Sequence, residues 1–400
     1  MGVREVLSVD DPGGKKFSAI YVLFFVSLQF VITYIKMKKI NTIICAAMFL
    51  TLLASCGGKH QFTINGTVGG NHLDGQTVYL FNYSDPKNPT DSAMVADGGF
   101  TFSGEVAEPW IAIVGTQGFG QTLIVEPGTI AVAPDSVGGT QLNGRLMTYI
   151  KGMDISDLQG EMETYYMMYY SAPDATQRAE AERLYDSVEA IANARMLDAS
   201  WASYNDNRDN IVGAMAMEGI ARLGDMPYAE FDSILSDASP VVKAYKPVSD
   251  KLAQLKAIDE TSAGKHYTDI QGVDGKLSDL IDGHLALVDF YASWCGPCRN
   301  EIRDNLVPLW KKYQKKGLVI VGLNVWERGD AEARKAAHEK VMADLGITYP
   351  QLVDSTRTAT TTYGVNGIPQ IMLIGPDGTI LARDLRGAAI EEAIVKALDK

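Results

Sequence analysis

The sequence is poor in cysteine and has no cluster of basic residues. Two of the four cysteines among its 400 residues lie in the N-terminal leader, so the rest of the chain carries a single pair. A zinc site built from cysteines needs a second pair, which the chain lacks. The formal net charge is −13, and no basic patch interrupts it. The composition therefore argues against a nucleic-acid-binding protein and predicts no metal site. Surface positions are predicted for His60, His72, His284 and His338.

The remaining cysteine pair follows a predicted buried strand. Residues Leu285–Tyr291 are nearly all apolar, which predicts the strand, and Cys295 and Cys298 come after a short turn. From Arg299 to Tyr313 apolar residues recur at helical spacing. A thiolate at the start of a helix is stabilised by unpaired N–H groups and a partial positive charge, so its pKa falls. The pattern predicts that Cys295 attacks a disulfide and that Cys298 resolves the mixed disulfide.

The two residues between these cysteines suit the turn into the helix. Gly296 allows a tight turn, and Pro297 fits the first helical turn, where its missing N–H costs nothing. The segment Trp294-Cys-Gly-Pro-Cys298 resembles the active site of thioredoxin-like thiol–disulfide oxidoreductases. The resemblance implies an α/β thioredoxin-like domain over residues 262–400, with a redox-active disulfide and no other cofactor. Half of a zinc site, a structural disulfide and a decayed site are the alternatives.

The resemblance also implies a substrate-binding loop. Pro369 matches the cis-proline that the family places opposite its active site, and X–Pro bonds are nearly the only ones found in the cis form. This bond would turn the backbone of Ile368 toward an extended substrate beside Cys295; the alternative is an ordinary trans loop. Trp294 would shield the site. The predicted substrate contacts are Trp294, Gly296, Pro297, Ile368 and Pro369.

Two acidic residues are predicted to tune the pair. Asp289 lies in the apolar strand, where burial would raise its pKa and let it take the proton of Cys298. Glu301 falls where the envelope reductases of the family keep a tuning glutamate. The alternatives are an exposed acid at a strand end and a solvated acid on a helix. Gly322 stands where thioredoxin has a lysine near the buried acid, and Arg303 stands where the family often has proline.

The leader contains two apolar runs. The first spans Phe17 to Ile35, and the second spans Ile40 to Ala54 after two lysines. Basic residues, an apolar core and small residues before a cysteine are typical of a signal peptide. The second run resembles a bacterial lipoprotein signal, with Cys56 as the lipidated residue. We therefore predict a non-native extension at 1–36 and a signal peptide at 37–55; the alternative is a membrane helix in the first run, which its length permits.

Residues 61–142 predict a β domain. Alternating runs recur between turns such as Asp97-Gly-Gly99 and Glu126-Pro-Gly128. Short strands at this spacing predict an antiparallel β-sandwich. The segments Asp91–Gly104 and Val125–Gly128 resemble the uncharacterised β domain that precedes thioredoxin modules in lipoproteins of Bacteroides-type bacteria.

Residues 145–257 predict four or five helices, with breaks at Pro173, Gly224 and Pro240. The tyrosines and methionines of residues 165–170 predict packing against a neighbouring domain; a hydrophobic client surface is the alternative. One apolar stripe is predicted to face the core. Its members are Leu184, Val188, Ile191, Ala194, Leu197, Trp201 and Tyr204.

Together these features predict a multidomain, lipid-anchored thiol–disulfide oxidoreductase that faces the periplasm, and they favour the outer membrane over the inner. Gly296-Pro297 is the pair found in reducing thioredoxins, which favours reduction of protein disulfides. The implied partners are protein clients, an inner-membrane electron donor and the membrane. A binding or scaffold lipoprotein and a peroxidase-like, thiol-based antioxidant are the alternatives.

Overall fold

The computed structural model describes residues 60–399. The predicted extension at 1–36, the signal peptide at 37–55 and Cys56 lie outside the described residues. The described chain falls into two compact units. One holds residues 60–226 and 231–249, and the other holds residues 227–230 and 250–399.

The first unit begins with two four-stranded sheets. One has the strand order β4-β1-β7-β8 and the other β3-β2-β5-β6. The sheets share one apolar core, to which both contribute fully buried side chains such as Ile64 and Leu123. This confirms the predicted β-sandwich, with one parallel pair, β1 and β7, among the antiparallel ones. The strands are β1 Gln61–Thr67, β2 Thr77–Asn82, β3 Asp85–Met94, β4 Gly99–Glu105, β5 Trp110–Thr116, β6 Phe119–Val125, β7 Gly128–Ala133 and β8 Ser136–Gly138.

Seven helices cover residues 141–260 of the described chain, more than the four or five predicted. The first helix is tied to the β-sandwich. Asn143 accepts a hydrogen bond from the Ile124 N–H at 2.8 Å and donates one to the Ile124 carbonyl at 2.7 Å. The helices are α1 Gln141–Gly152, α2 Ser156–Ser171, α3 Ala175–Asp206, α4 Ile211–Leu223, α5 Tyr228–Ser236, α6 Pro240–Ala244 and α7 Lys246–Glu260.

The predicted apolar stripe of α3 is wrong in part. Ile191 is 52% exposed, and Ala194 is exposed as well. The buried face lies about one residue position away around the helix and includes small and polar side chains. Ser200 is buried there because its hydroxyl bonds to the Met196 carbonyl at 2.8 Å. The buried residues are Ala181, Tyr185, Val188, Ala192, Met196, Ser200, Ser203 and Tyr204.

The second unit is a three-layer α/β domain, which confirms the predicted thioredoxin-like fold class. Its five-stranded sheet has the order β11-β10-β9-β12-β13. Strands β9, β10 and β11 are parallel, and β12 runs antiparallel to both β9 and β13. The elements are α8 Ser278–Ile281, β9 Leu285–Tyr291, α9 Gly296–Glu301, α10 Val307–Tyr313, β10 Leu318–Asn324, α11 Ala331–Leu345, β11 Gln351–Val353, α12 Thr358–Thr362, β12 Gln370–Ile374, β13 Ile380–Ala382 and α13 Ala388–Leu398.

The helix after the cysteines is interrupted, although the sequence predicts one helix from Arg299 to Tyr313. A π-helical turn, Ile302–Leu306, separates α9 from α10. Pro308 stands in the first turn of α10 and has no N–H to donate to the carbonyl four residues earlier. The π-turn lies where that α-helical pairing is missing, and such turns are frequent at functional sites.

The end of α7, from residue 250 onward, belongs to the second unit. The Gln254 side chain donates to the Gly364 carbonyl at 3.2 Å. Arg383 donates to the Thr261 carbonyl at 3.0 Å and to the Tyr363 carbonyl at 2.8 Å. The compact unit therefore includes the helical residues from 250 onward.

Candidate active site

The two cysteines meet at the start of α9, directly after the central strand β9. Cys295 and Cys298 form a disulfide, and their side chains are 4% and 0% exposed. Cys295 is the residue before the helix, and its Sγ accepts the Cys298 N–H at 3.2 Å. The sulfur thus occupies the position at which a helix offers its unpaired N–H groups.

The proline loop lies against the same sulfur. The Ile368–Pro369 peptide bond is cis, and the Ile368 carbonyl oxygen is 3.8 Å from the Cys295 Sγ. A cleft of about 460 Å³ opens beside this loop. Its lining includes Pro297, Glu301, Ile368, Pro369 and Arg386. Gly296 and Pro297 are half-buried, so both belong to the partly exposed rim of the disulfide.

Trp294 is held by a loop that sequence reasoning missed. Its indole N–H donates to the Trp326 carbonyl at 3.0 Å, and the Arg328 guanidinium lies 4.1 Å from the ring centroid. The Glu327 carboxylate accepts the Ser293 N–H and hydroxyl, at 2.5 and 2.7 Å. A signal was available: carboxyl ends of neighbouring parallel strands share one sheet edge. The residues after β10 therefore had to lie near those after β9.

Asp289 is buried in the middle of β9. It is 1% exposed, and among the described residues neither of its carboxyl oxygens has a hydrogen-bond partner. Burial raises the pKa of Asp289 to about 8; the charge of Arg386 lowers this pKa, and that of Glu301 raises it. A carboxyl with this pKa can exchange a proton near neutral pH.

Glu301 is bound to its surroundings rather than freely solvated. Its Oε1 accepts the Gly387 N–H at 3.0 Å and the Asn305 amide at 2.7 Å. Gly387 lies far along the chain, after β13. The carboxylate therefore links α9 to the segment that follows the last strand.

The residue opposite Asp289 on β10 is a glycine, and a side chain from β11 occupies the space beside it. Asp289 pairs with Gly322, and Gly322 pairs with Gln351. The Gln351 amide lies over Gly322, at 2.5 Å from where a Cβ would stand. Gln351 accepts a hydrogen bond from the Tyr291 hydroxyl at 2.7 Å. An amide therefore occupies the space that the resemblance to thioredoxin assigns to a lysine.

The prediction of a surface position for His338 is wrong. Its side chain is 9% exposed, and its Nδ1 lies 3.1 Å from the Tyr291 hydroxyl oxygen. Burial lowers the pKa of His338. The sequence of α11 carries little amphipathic signal, so it did not show which face turns inward. His60, His72 and His284 are exposed.

Within residues 60–399, no group of three or more His, Cys, Asp or Glu residues is arranged to hold a metal ion. No helix in this part of the chain combines the length and apolar character that crossing a bilayer requires.

Two family models match different parts of the described chain. Residues 255–383 match the AhpC/TSA family. Residues 62–152 match a domain of unknown function, DUF4369. The C-terminal match confirms the predicted thioredoxin-like domain, whereas the description of the N-terminal match names no activity.

Relatives of the C-terminal domain are named for thiol–disulfide chemistry. The chain is 35% identical over 125 residues to the thiol:disulfide interchange protein CycY of Rhizobium leguminosarum bv. viciae, covering 30% of this chain and 61% of that protein. It is 34% identical over 123 residues to HelX of Rhodobacter capsulatus, covering 30% and 63%. It thus spans less than two thirds of the length of these relatives. The names and identities of these relatives confirm the predicted resemblance to thiol–disulfide oxidoreductases.

A solved structure is also similar. The thioredoxin domain of a thiol-disulfide oxidoreductase from Bacteroides vulgatus shares 27% identity, with a TM-score of 0.29. The match covers 34% of this chain and 96% of that domain.

Proposed function

We propose that this protein is a thiol–disulfide oxidoreductase that reduces disulfides of protein clients through Cys295 and Cys298. The observation that carries the proposal is the setting of the Cys295 sulfur. It accepts the Cys298 N–H at the helix start and lies 3.8 Å from the Ile368 carbonyl beside the cis Pro369. A nucleophilic sulfur next to an open backbone edge suits an extended peptide that contains a disulfide.

The proposed cycle starts from the reduced pair. The Cys295 thiolate attacks one sulfur of the client disulfide, which forms a mixed disulfide and releases one client thiolate. Cys298 then gives its proton to the Asp289 carboxylate and attacks the Cys295 sulfur, which releases the second client thiolate. The client gains two electrons, and the enzyme is left with the Cys295–Cys298 disulfide. A dithiol donor restores the reduced pair.

Other residues are proposed to support this cycle. Trp294 shields the sulfur, and Glu301 adjusts the field at the pair. Gly296, Pro297 and Ile368 contact the client. These roles are supported by position: Glu301, Pro297 and Ile368 line one cleft, and Gly296 begins the helix.

The proposed place of action is the cell envelope. The leader pattern supports a lipid anchor at Cys56, with the protein facing the periplasm. A membrane anchor of this kind places the client-binding face in an oxidising compartment. The proposed donor is then a dithiol protein of the inner membrane.

Two single substitutions test the proposed roles. Cys295→Ser is expected to abolish the acceleration that the protein gives to insulin reduction by dithiothreitol, leaving the uncatalysed rate, because it removes the attacking sulfur. Cys298→Ser is expected to stall at the mixed disulfide, visible as a covalent adduct on a non-reducing gel. Full turnover by either variant would refute the assignment, and a Cys298→Ser protein that never forms adducts would favour a binding or scaffold role.

A further inference from the structure

A short loop after β13 connects the main parts of the candidate site. This loop, residues 384–387, is held to β12 by the Leu385 N–H, which donates to the Ile371 carbonyl at 3.2 Å. Ile371 is the strand partner of Asp289. The next residue, Arg386, therefore stands close to the buried carboxyl and to the cis-proline loop.

The Arg386 side chain binds backbone carbonyls on both sides. It donates to the carbonyl of Pro369 and, at 2.7 Å, to the carbonyl of Leu385. The following N–H, that of Gly387, donates to Glu301 at 3.0 Å. The 384–387 loop thus joins the proline loop to α9 across one wall of the cleft.

Arg386 is also the cation whose charge lowers the pKa of Asp289. Besides Cys298, which is held in the disulfide, the titratable groups of the described residues that interact with this carboxyl are Glu301 on α9, Tyr291 on the same strand and Tyr349 before β11. All three are neutral or negative, so their fields do not favour an ionised Asp289. A cation near a buried carboxylate favours its charged form.

We propose that Arg386 is a positioning residue with two tasks: it fixes the cis-Pro369 loop, and with it the Ile368 backbone, for an extended client, and it supplies the positive charge that lets Asp289 ionise. This inference rests on the proposed oxidoreductase function and adds a residue to it. Arg386 touches neither sulfur, so it acts through the proline loop and through Asp289.

The two tasks have separable consequences. Without the guanidinium, Asp289 loses the charge that favours its ionised form, so its pKa rises further above about 8. Proton transfer from Cys298 then needs a higher pH. Without the tether, the Pro369 carbonyl is no longer held, so a long client binds less well. A small disulfide that reaches only the sulfur is unaffected by this second loss.

The test compares three variants of the full-length protein. Arg386→Gln removes the charge, and Arg386→Lys keeps the charge but loses the planar fork of donors. Arg303→Gln is the matched control, because among the described residues this exposed arginine bonds to Asp304 and Asn300 alone. The rates of reduction of insulin and of 5,5′-dithiobis(2-nitrobenzoate) are measured from pH 6 to pH 10.

Arg386→Gln is expected to raise KM for insulin on the order of tenfold, the value of one charged hydrogen bond. KM for the small disulfide is expected to stay the same, and the pH profile with insulin to move to higher pH. Arg386→Lys is expected to restore the pH profile but not KM. Equal losses with both disulfides at every pH would reduce Arg386 to a structural role and overturn the proposal.

A second measurement does not depend on turnover. The carboxyl of Asp289 is titrated by ¹³C NMR in the oxidised protein, with Asp289→Asn to identify its signal. A higher pKa of Asp289 in Arg386→Gln, with no such rise in Arg303→Gln, supports the charge role of Arg386. An unchanged pKa of Asp289 in Arg386→Gln refutes it. If the wild-type protein reduces neither disulfide and Arg386→Gln still displaces the pKa of Asp289, the proposed function is rejected and the electrostatic link between Arg386 and Asp289 is kept.

Discussion

At the residue scale, the main feature is the Asp289 carboxyl, which has no hydrogen-bond partner within residues 60–399. Asp289 sits in a strand whose seven residues are all buried, and its pKa is raised to about 8 mainly by burial. An unpaired polar group in such a place costs stability. A carboxyl kept at that cost, on the strand that leads to the cysteine pair, is a candidate for proton transfer.

This carboxyl makes stability depend on pH. Above its ordinary value of 3.8 the unfolded chain has lost the proton that the folded protein still keeps on Asp289. The free energy of unfolding therefore falls as pH rises from about 4 to about 8, by up to about 1.4 kcal/mol per pH unit from this residue. Asp289→Asn is expected to remove that slope. The free energy of unfolding is measured at each pH by urea unfolding, and separately by amide hydrogen exchange of β9.

The control for this prediction has the opposite sign. Arg303 lowers the pKa of the exposed Asp304, so Asp304→Asn removes only a small contribution that is lost toward acid pH. It is expected to leave the slope between pH 4 and pH 8 in place. The same slope in Asp289→Asn would show that the carboxyl is ionised throughout this range.

Residues of this site differ in how far the sequence predicts them. The positions of Cys295 and Cys298 can be predicted from the adjacent sequence, since a strand, a turn and a helix start place them. Arg386 and Glu327 act across the fold, and no local pattern marks them. Which carbonyl or N–H they bind depends on where two distant loops meet, and that requires the assembled sheet.

At the scale of elements, one row of paired residues across β9, β10 and β11 has a glycine in its middle position. Gly322 lies between Asp289 and Gln351, and the Gln351 amide covers it. That amide also bonds to the Tyr291 hydroxyl at 2.7 Å and to the Tyr349 carbonyl at 3.2 Å. The side chain is therefore held in place from two directions.

A double-mutant cycle tests this arrangement. Alanine usually stabilises a strand over glycine by about 0.5–1 kcal/mol, but a Cβ at Gly322 would lie 2.5 Å from the Gln351 amide. Gly322→Ala is therefore expected to destabilise the second unit by about 1–3 kcal/mol, because buried hydrogen bonds are lost. In the Gln351→Ala background the same change is expected to be neutral or stabilising. Additive effects in urea unfolding would contradict the packing described.

Elements also differ in how well sequence defines them. The strand β9 is predicted to its exact ends because buried parallel strands are apolar throughout. The inward face of α3 is misplaced because neighbours on several sides select small residues such as Ala192 and Ser200, which periodicity ignores. The π-turn escapes prediction because Pro308 alone does not fix how the preceding carbonyls are satisfied.

At the scale of the whole molecule, the proposed function predicts the direction of electron flow in the cell. The structure holds the cysteines as a disulfide, which is the product state of the proposed reduction. A protein supplied with electrons by a dithiol donor would spend most of its time in the other state. The redox state in growing cells therefore reports on the donor.

Thiol trapping measures this state. Cells are quenched with acid, alkylated and analysed for Cys295 and Cys298, and a mostly reduced pair is expected. A mostly oxidised pair would contradict the reductant role and indicate disulfide donation or a structural bridge. Cys298→Ala separates those two, because only a disulfide-exchanging protein is then trapped with a client.

The parallel pair in the β-sandwich has a consequence for how the protein is made. Strand β1 lies inside its sheet, between β4 and β7, yet it leaves the ribosome before both. Strand β4 can pair with one edge of β1 once residue 105 has emerged, but the other edge stays unpaired until β7, which ends at residue 133, has been made. The segment therefore stays available to chaperones during synthesis. Pairing between strands so distant in sequence also folds slowly. An early pause in translation would therefore leave an aggregation-prone strand waiting for its neighbours.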